Sequence, residues 1–166
     1  MKIIICYLII LRMSKRFWCC GSIDATESNI NKKNESNNKP LEKKNLELLN
    51  KMHLICDDAS SNRTALKRYL NMYGCEVNEV ENGLEAVEKI KNKNTYNIVW
   101  MDLKMPKMDG HIATKEIRKL GYEYPIIGLT GYVDEDTIKK CYSVGMTHVV
   151  AKPFDKQVVQ MYCEKY

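Results

Sequence analysis

The chain has 166 residues, of which 45% are hydrophobic and 28% charged, and a formal net charge of +5. That length suits one domain of ordinary size plus a tail, and excludes two full domains with separate large cores. The composition is ordinary for a soluble globular protein and gives no nucleic-acid signal. The basic excess sits in the first 51 positions, and acids and bases are nearly balanced from Met52 onward, where a nucleic-acid interface would have to be built.

Residues 3 to 11, "IIICYLIIL", are continuously apolar, and a basic, aromatic stretch containing Cys19 and Cys20 follows. Nine helical residues span roughly 14 Å against about 30 Å of bilayer hydrocarbon, so this segment does not cross a membrane by itself. Its open readings are a stub of a longer transmembrane segment, an interfacial anchor acylated at Cys19 and Cys20, or no function. Membrane association is therefore expected only through residues 3 to 20. Residues 1–21 form this N-terminal segment. Residues 22–51 follow as a flexible Asn- and Lys-rich linker, too poor in large apolar side chains to offset its ordering entropy, with a possible short helix over 41–52. The folded domain is expected over 52–166.

Within that domain short apolar runs alternate with amphipathic helical ones. "HLICD" predicts a first strand, and the next helix runs over about 60 to 73, where Gly74 ends it. "CEVNEVE" alternates with period two and reads as a strand at the sheet edge. Asn82 and Glu85 predict a capped start for the helix "GLEAVEKIKNK". "NIVWMD" is an apolar strand ending in an acid, with Trp100 and Met101 expected in the core. The loop "LKMPKM" leads to a helix over 109 to 120, and Met105 and Met108 read as turn and packing residues. "PIIGLTG" is the fourth strand, Asp134 caps the helix "EDTIKKCYSVG", "HVVAK" is the fifth strand, and "DKQVVQMYCEKY" the last helix. Five successive strand-helix units with apolar central strands imply an α/β fold: a parallel, doubly wound sheet with helices on both faces.

Seven cysteines, an odd count with no C-x-x-C pair, imply neither a disulfide framework nor a zinc site. A reducing cytosol is the expected compartment, with buried cysteines acting as small hydrophobes. His53, His111 and His148 are far apart in sequence and are expected at the surface.

In a parallel sheet the chemistry gathers at the carboxyl ends of the strands. Those ends carry Asp57 and Asp58, then Asp102, Thr130 and Lys152. Each residue has a bland reading, since Asp caps helices and Lys is usually solvated, but their joint appearance is harder to explain that way. Three gathered carboxylates require protonation or a cation, and a hard oxygen-donor set suits Mg2+. Such a site fits an aspartyl nucleophile attacking a phosphoryl group, with Thr130 donating to one phosphoryl oxygen and Lys152 pairing with another.

These motifs resemble the receiver domains of response regulators and hybrid histidine kinases. "LICDDASSNR" resembles the acidic-pair strand, "NIVWMDLKMPKMDG" the phosphoacceptor strand and its loop, "PIIGLTG" the hydroxyl-bearing strand, and "VVAKPF" the Lys-Pro strand end. They occur in the family's order, separated by 44, 28 and 22 residues from Asp58 through Asp102 and Thr130 to Lys152. The resemblance implies a flavodoxin-like five-stranded sheet of order 2-1-3-4-5 and a cis Lys152–Pro153 bond. It implies Asp102 as phosphoacceptor and a Mg2+ ion held by Asp58, Asp102 and the backbone carbonyl of Lys104, with Asp57 acting through water. Thr130 would be the switch hydroxyl and Lys152 the phosphate-pairing cation. The implied partner is a histidine kinase or histidine phosphotransfer protein, with a downstream effector, in the cytoplasm or at the cytosolic face of a membrane.

One departure concerns output. The family commonly has an aromatic switch residue three positions before the Lys, and this chain has Val149 there. The alternative to a stand-alone receiver is the receiver fragment of a hybrid histidine kinase, and the rival readings outside the family are an aspartyl-phosphate phosphatase, a flavodoxin-like cofactor protein and a binding module of the same fold that is never phosphorylated. The first expects its nucleophile after the first strand, and the second expects a phosphate loop that Asp57 and Asp58 would make repulsive.

Overall fold

The computed structural model describes residues 51–92 and 96–166. The expectations for residues 1–21, the linker and most of the lead-in helix lie outside the described residues. Among these residues five strands and five helices alternate: β1 (Met52–Cys56), α1 (Ser60–Met72), β2 (Glu76–Val80), α2 (Gly83–Lys91), β3 (Ile98–Asp102), α3 (Gly110–Lys119), β4 (Ile126–Thr130), α4 (Glu135–Ser143), β5 (His148–Ala151) and α5 (Lys156–Lys165). All pairings are parallel and the strand order is β2-β1-β3-β4-β5.

Period-two alternation along the strands sorts the core into two layers. Leu54, Cys56, Val99, Met101 and Ile126 pack with Ala86 and Ile90 of α2, Ala113 and Ile117 of α3, and Cys141 of α4. Ile55, Ile98, Trp100, Ile127 and Leu129 pack on the other face, with Leu66 and Leu70 of α1 and Val159, Tyr162 and Cys163 of α5. Helices thus cover both faces of the central strands. β3 and β4 are buried throughout, whereas β2 at one edge is half-exposed. Trp100 and Met101 are core residues, and Met105 and Met108 pack against the core, as the sequence predicts.

The helix starts follow from local chemistry. Asn82 accepts from the Glu85 amide at 3.1 Å, and the Glu85 carboxylate receives the Asn82 side-chain amide at 2.7 Å and the Glu81 backbone amide at 3.2 Å. Asp109, Asp134 and Asp155 cap α3, α4 and α5 by accepting backbone N–H groups of the first turn, each of which would otherwise lack a partner. Gly74 ends α1 with φ +75°, a left-handed conformation that favours glycine. α2 and α4 stop before the predicted residues 93 and 145, because Asn92 and Val144 have left the helix as its C-caps.

The histidines depart from expectation. His53 is fully buried, and its Nδ1 accepts a hydrogen bond from Trp100 Nε1 at 3.1 Å. The side chain of His111 is only 13% exposed, and its Nε2 lies 3.6 Å from the Cys141 sulfur. His148 is half-buried against the rings of Tyr162 and Tyr166. An isolated histidine carries no period, so only the packing of neighbouring strands and helices reveals its burial. Among the described residues, no helix is long and apolar enough to cross a membrane.

Candidate functional site

Strand register brings the carboxyl ends side by side. Cys56 pairs with Met101, Asp102 with Leu129, and Thr130 with Ala151. The next residue along each strand then reaches the same edge. The Leu103 amide donates to the Leu129 carbonyl at 3.1 Å and the Lys152 amide to the Thr130 carbonyl at 2.7 Å, so the strand ends stay bound beyond the ladder. β1 ends at Cys56, which frees both Asp57 and Asp58 from strict alternation.

Carboxylate oxygens of Asp57, Asp58 and Asp102 lie within 4.8 Å of one another, with Asp57 and Asp102 buried and Asp58 exposed. Lys152 Nζ bridges the buried pair, 2.6 Å from Asp57 Oδ2 and 2.9 Å from Asp102 Oδ2. Burial raises the Asp102 carboxyl above the usual carboxylate range, and this outweighs the opposing pull of Lys152. For Lys152 burial disfavours the charged form, but the two carboxylates outweigh it and hold the ammonium above its ordinary value. One ammonium between two buried carboxylates leaves net negative charge, with exposed Asp58 adding to it. That hard, oxygen-rich, incompletely neutralised donor set fits Mg2+.

The backbone around Asp102 is tightly constrained. The Lys104 amide faces Asp102 Oδ1 at 3.4 Å, and the Gly110 amide donates to the Leu103 carbonyl at 3.0 Å. A Cβ at Gly110 would collide with the Asp102 carbonyl oxygen, so only glycine lets α3 start this close to β3. The Lys152–Pro153 peptide bond is cis, as the resemblance implies.

Thr130 reaches the same edge and is buried, but its hydroxyl is engaged in its own loop. It donates to the Tyr132 carbonyl at 2.9 Å and accepts from the Tyr132 amide at 3.1 Å. Val149 is half-buried against the α2–α4 layer of the core.

Two residues not singled out from the sequence complete the site. Asn62, on the first turn of α1, donates its side-chain amide to both Asp57 oxygens at 3.0 and 3.2 Å. Asp57 Oδ1 also accepts from the Ala59 amide at 3.0 Å, which helps explain how α1 begins without a side-chain cap of its own. Arg63 donates to the carbonyls of Asp57 and Asp58 at 2.8 and 3.2 Å and pairs with Glu81 at 2.6 Å. Spacing offered one signal, because residues five and six positions after Asp57 fall on the first turn of the following helix.

The fold and the site define a phosphorelay receiver. Residues 54–163 match the response regulator receiver domain, and the chain belongs to that family. It is 37% identical over 123 residues to the osmosensing histidine protein kinase SLN1 of Saccharomyces cerevisiae, a match covering 68% of this chain and 10% of that protein. It is 36% identical over 107 residues to the sensor protein EvgS of Escherichia coli, covering 64% and 9%. The chain thus spans about a tenth of the length of these two relatives. Among solved structures it resembles the receiver domain of the Pseudomonas aeruginosa sensor histidine kinase PA1611, which has magnesium coordinated in its active-site cleft. That likeness has a TM-score of 0.65 at 30% identity and covers 70% of this chain and 97% of the other. The chemotaxis protein CheY4 of Vibrio cholerae gives a TM-score of 0.66 at 26% identity, over 70% and 98%.

Proposed function

We propose that Asp102 accepts a phosphoryl group from a phosphohistidine on a histidine kinase or histidine phosphotransfer protein, and that the resulting acyl phosphate changes partner binding. The observation that carries this reading is the Lys152 ammonium held 2.9 Å from a buried Asp102 whose neighbours are Asp57 and Asp58. An Asp102 oxygen attacks phosphorus, the phosphorus–nitrogen bond of the donor breaks, and the imidazole leaves. Lys152 is placed to shift from bridging two carboxylates to pairing with a phosphoryl oxygen, where its charge offsets the negative charge of the transferred group. Asp58, Asp102 and the Lys104 carbonyl would hold Mg2+, with Asp57 contributing through water. When bound, the ion neutralises the charge that develops between carboxylate and phosphoryl oxygens.

The proposed switch is Thr130. To donate to a phosphoryl oxygen its hydroxyl must release the Tyr132 carbonyl, which changes the loop carrying exposed Tyr132 and Val133. Val149 fills the position of the family's aromatic partner with less volume, so the surface change is carried mainly by this loop.

Acetyl phosphate with magnesium, followed by intact mass measurement, tests the proposal. An added phosphoryl group, about 80 Da, is expected in the wild-type chain and none in Asp102→Asn. An unmodified wild type, or equal modification of the variant, would overturn it.

A further inference from the structure

A second group of reactive side chains lies at the opposite end of the sheet. His53 stands near the start of β1, Cys75 just before β2, and Cys163 on the inner face of α5. A ring nitrogen of His53 and the sulfurs of Cys75 and Cys163 lie within 4.8 Å of one another, and all three residues are buried. Asp102 and its neighbours use none of them.

Hydrogen-bond chemistry assigns the protons. The Trp100 indole N–H can only donate, and it meets His53 Nδ1 at 3.1 Å, so Nδ1 is the bare nitrogen and Nε2 carries the ring proton. That Nε2 is buried, and an N–H in a dry core favours negative charge nearby. The two thiols hydrogen-bond to each other. This bond brings the Cys75 thiol down to about 5 against the opposing effect of burial, with His53 and the Lys51 ammonium adding to the fall. Cys163 moves upward for the reciprocal reason. The downward direction at Cys75, with a partner thiol and the His53 ring beside it, makes Cys75 the better nucleophile of the two.

We propose that Cys75 and Cys163 form an oxidisable dithiol, in which Cys75 is the nucleophile toward a small hydroperoxide and Cys163 converts the product to a disulfide. The Cys75 thiolate attacks the peroxide oxygen, an S–O bond forms, the O–O bond breaks, and the leaving oxygen takes a proton from solvent. The Cys163 sulfur then attacks the Cys75 sulfur, the S–O bond breaks, and hydroxide leaves with the Cys163 proton as water. Two thiols lose two electrons and two protons in all, and the hydroperoxide becomes an alcohol and water. Exposure supports this division of roles. Cys75 retains 5% exposure beside the edge strand, whereas Cys163 has none.

A histidine and two cysteines also have the composition of a soft-metal site. The proton assignment disfavours that use: Nδ1 is committed to the indole and Nε2 carries the proton, so neither lone pair is available to an ion.

The test is titration of the reduced full chain with hydrogen peroxide, followed by alkylation under denaturing conditions and peptide mapping. The expected product has lost about 2 Da and carries a Cys75–Cys163 crosslink. Cys163→Ser is expected to stop at a sulfenic acid on Cys75 that a dimedone probe captures, and Cys75→Ser to yield neither product. Mapping of the wild-type chain decides the matter even if a variant fails to fold. Persistence of both thiols in excess peroxide, a crosslink between other cysteines, or retention of one equivalent of Zn2+ that protects both thiols would overturn the proposal.

Discussion

Replacing Lys152 with methionine keeps the length of the side chain and removes the charge that holds Asp57 and Asp102 together. The ammonium is 2.6 and 2.9 Å from the two carboxylates, which themselves lie within 4.8 Å of each other. Two like charges at that separation repel by about 3.5 kcal/mol at an effective dielectric constant of ~20. Removing one partner of a buried ion pair costs roughly 3–5 kcal/mol, so the two routes agree. In magnesium-free buffer at neutral pH we expect Lys152→Met to lose about 3 kcal/mol, or about 10 °C in Tm for a domain of this size. The pH dependence has a definite sign. Lys152 is raised above 10.5, so its contribution is complete below that pH and disappears as pH rises through the raised value. On the acid side burial places Asp102 above 3.8, so its proton returns early during acidification and the repulsion in the variant fades. Urea unfolding of both proteins at neutral pH and again at about pH 3 measures the gap. A gap under about 1 kcal/mol at neutral pH, the range of exposed ion pairs, or one of equal size at both pH values, would refute the reasoning.

Other substitutions test separate parts of the argument. Because the fold holds the Asp102 proton more tightly than the unfolded chain does, ionisation of this group subtracts stability as pH rises from 3.8 through its raised value. Asp102→Asn should therefore raise the urea midpoint at neutral pH, and the gain should vanish in acid. Gly110→Ala should cost about 2–3 kcal/mol by overpacking and slow acyl-phosphate formation, because the new methyl group meets the Asp102 carbonyl. Arg118 donates to the carbonyls of Tyr122, Tyr124 and Gly145 at 2.5, 2.8 and 2.9 Å, tying α3 to the loops before β4 and β5. Arg118→Met should cost roughly 2–4 kcal/mol in urea unfolding, with acetyl-phosphate labelling retained at temperatures where the variant is folded. Asp155→Ala removes the cap shared by the Gln157 and Val158 amides and should cost about 1 kcal/mol, seen as faster hydrogen exchange in α5.

Much of this protein is legible in its linear order. The alternation of "CEVNEVE" marks an edge strand, because one face of such a strand meets solvent, and the unbroken apolar run of "NIVWMD" marks a central one. The side-chain caps at Asn82 and Asp134 and the helix-ending Gly74 are local devices, so their meaning survives without tertiary context. The strand-end positions of Asp57, Asp58, Asp102, Thr130 and Lys152 follow from the same pattern, since a parallel sheet presents all its carboxyl ends at one edge.

Tertiary structure decided what those residues touch. That Lys152 bridges Asp57 and Asp102, that Asn62 clasps Asp57, and that Thr130 turns to the Tyr132 carbonyl depend on strand register and side-chain direction, which no local pattern encodes. The burial of His53 against Trp100 and its meeting with Cys75 and Cys163 join three elements across more than a hundred residues of chain. Composition and periodicity report the short-range terms, namely propensity, capping and which face is apolar. Contacts between distant residues arise only when the sheet closes and the helices pack onto it, and there the sequence taken by itself falls silent.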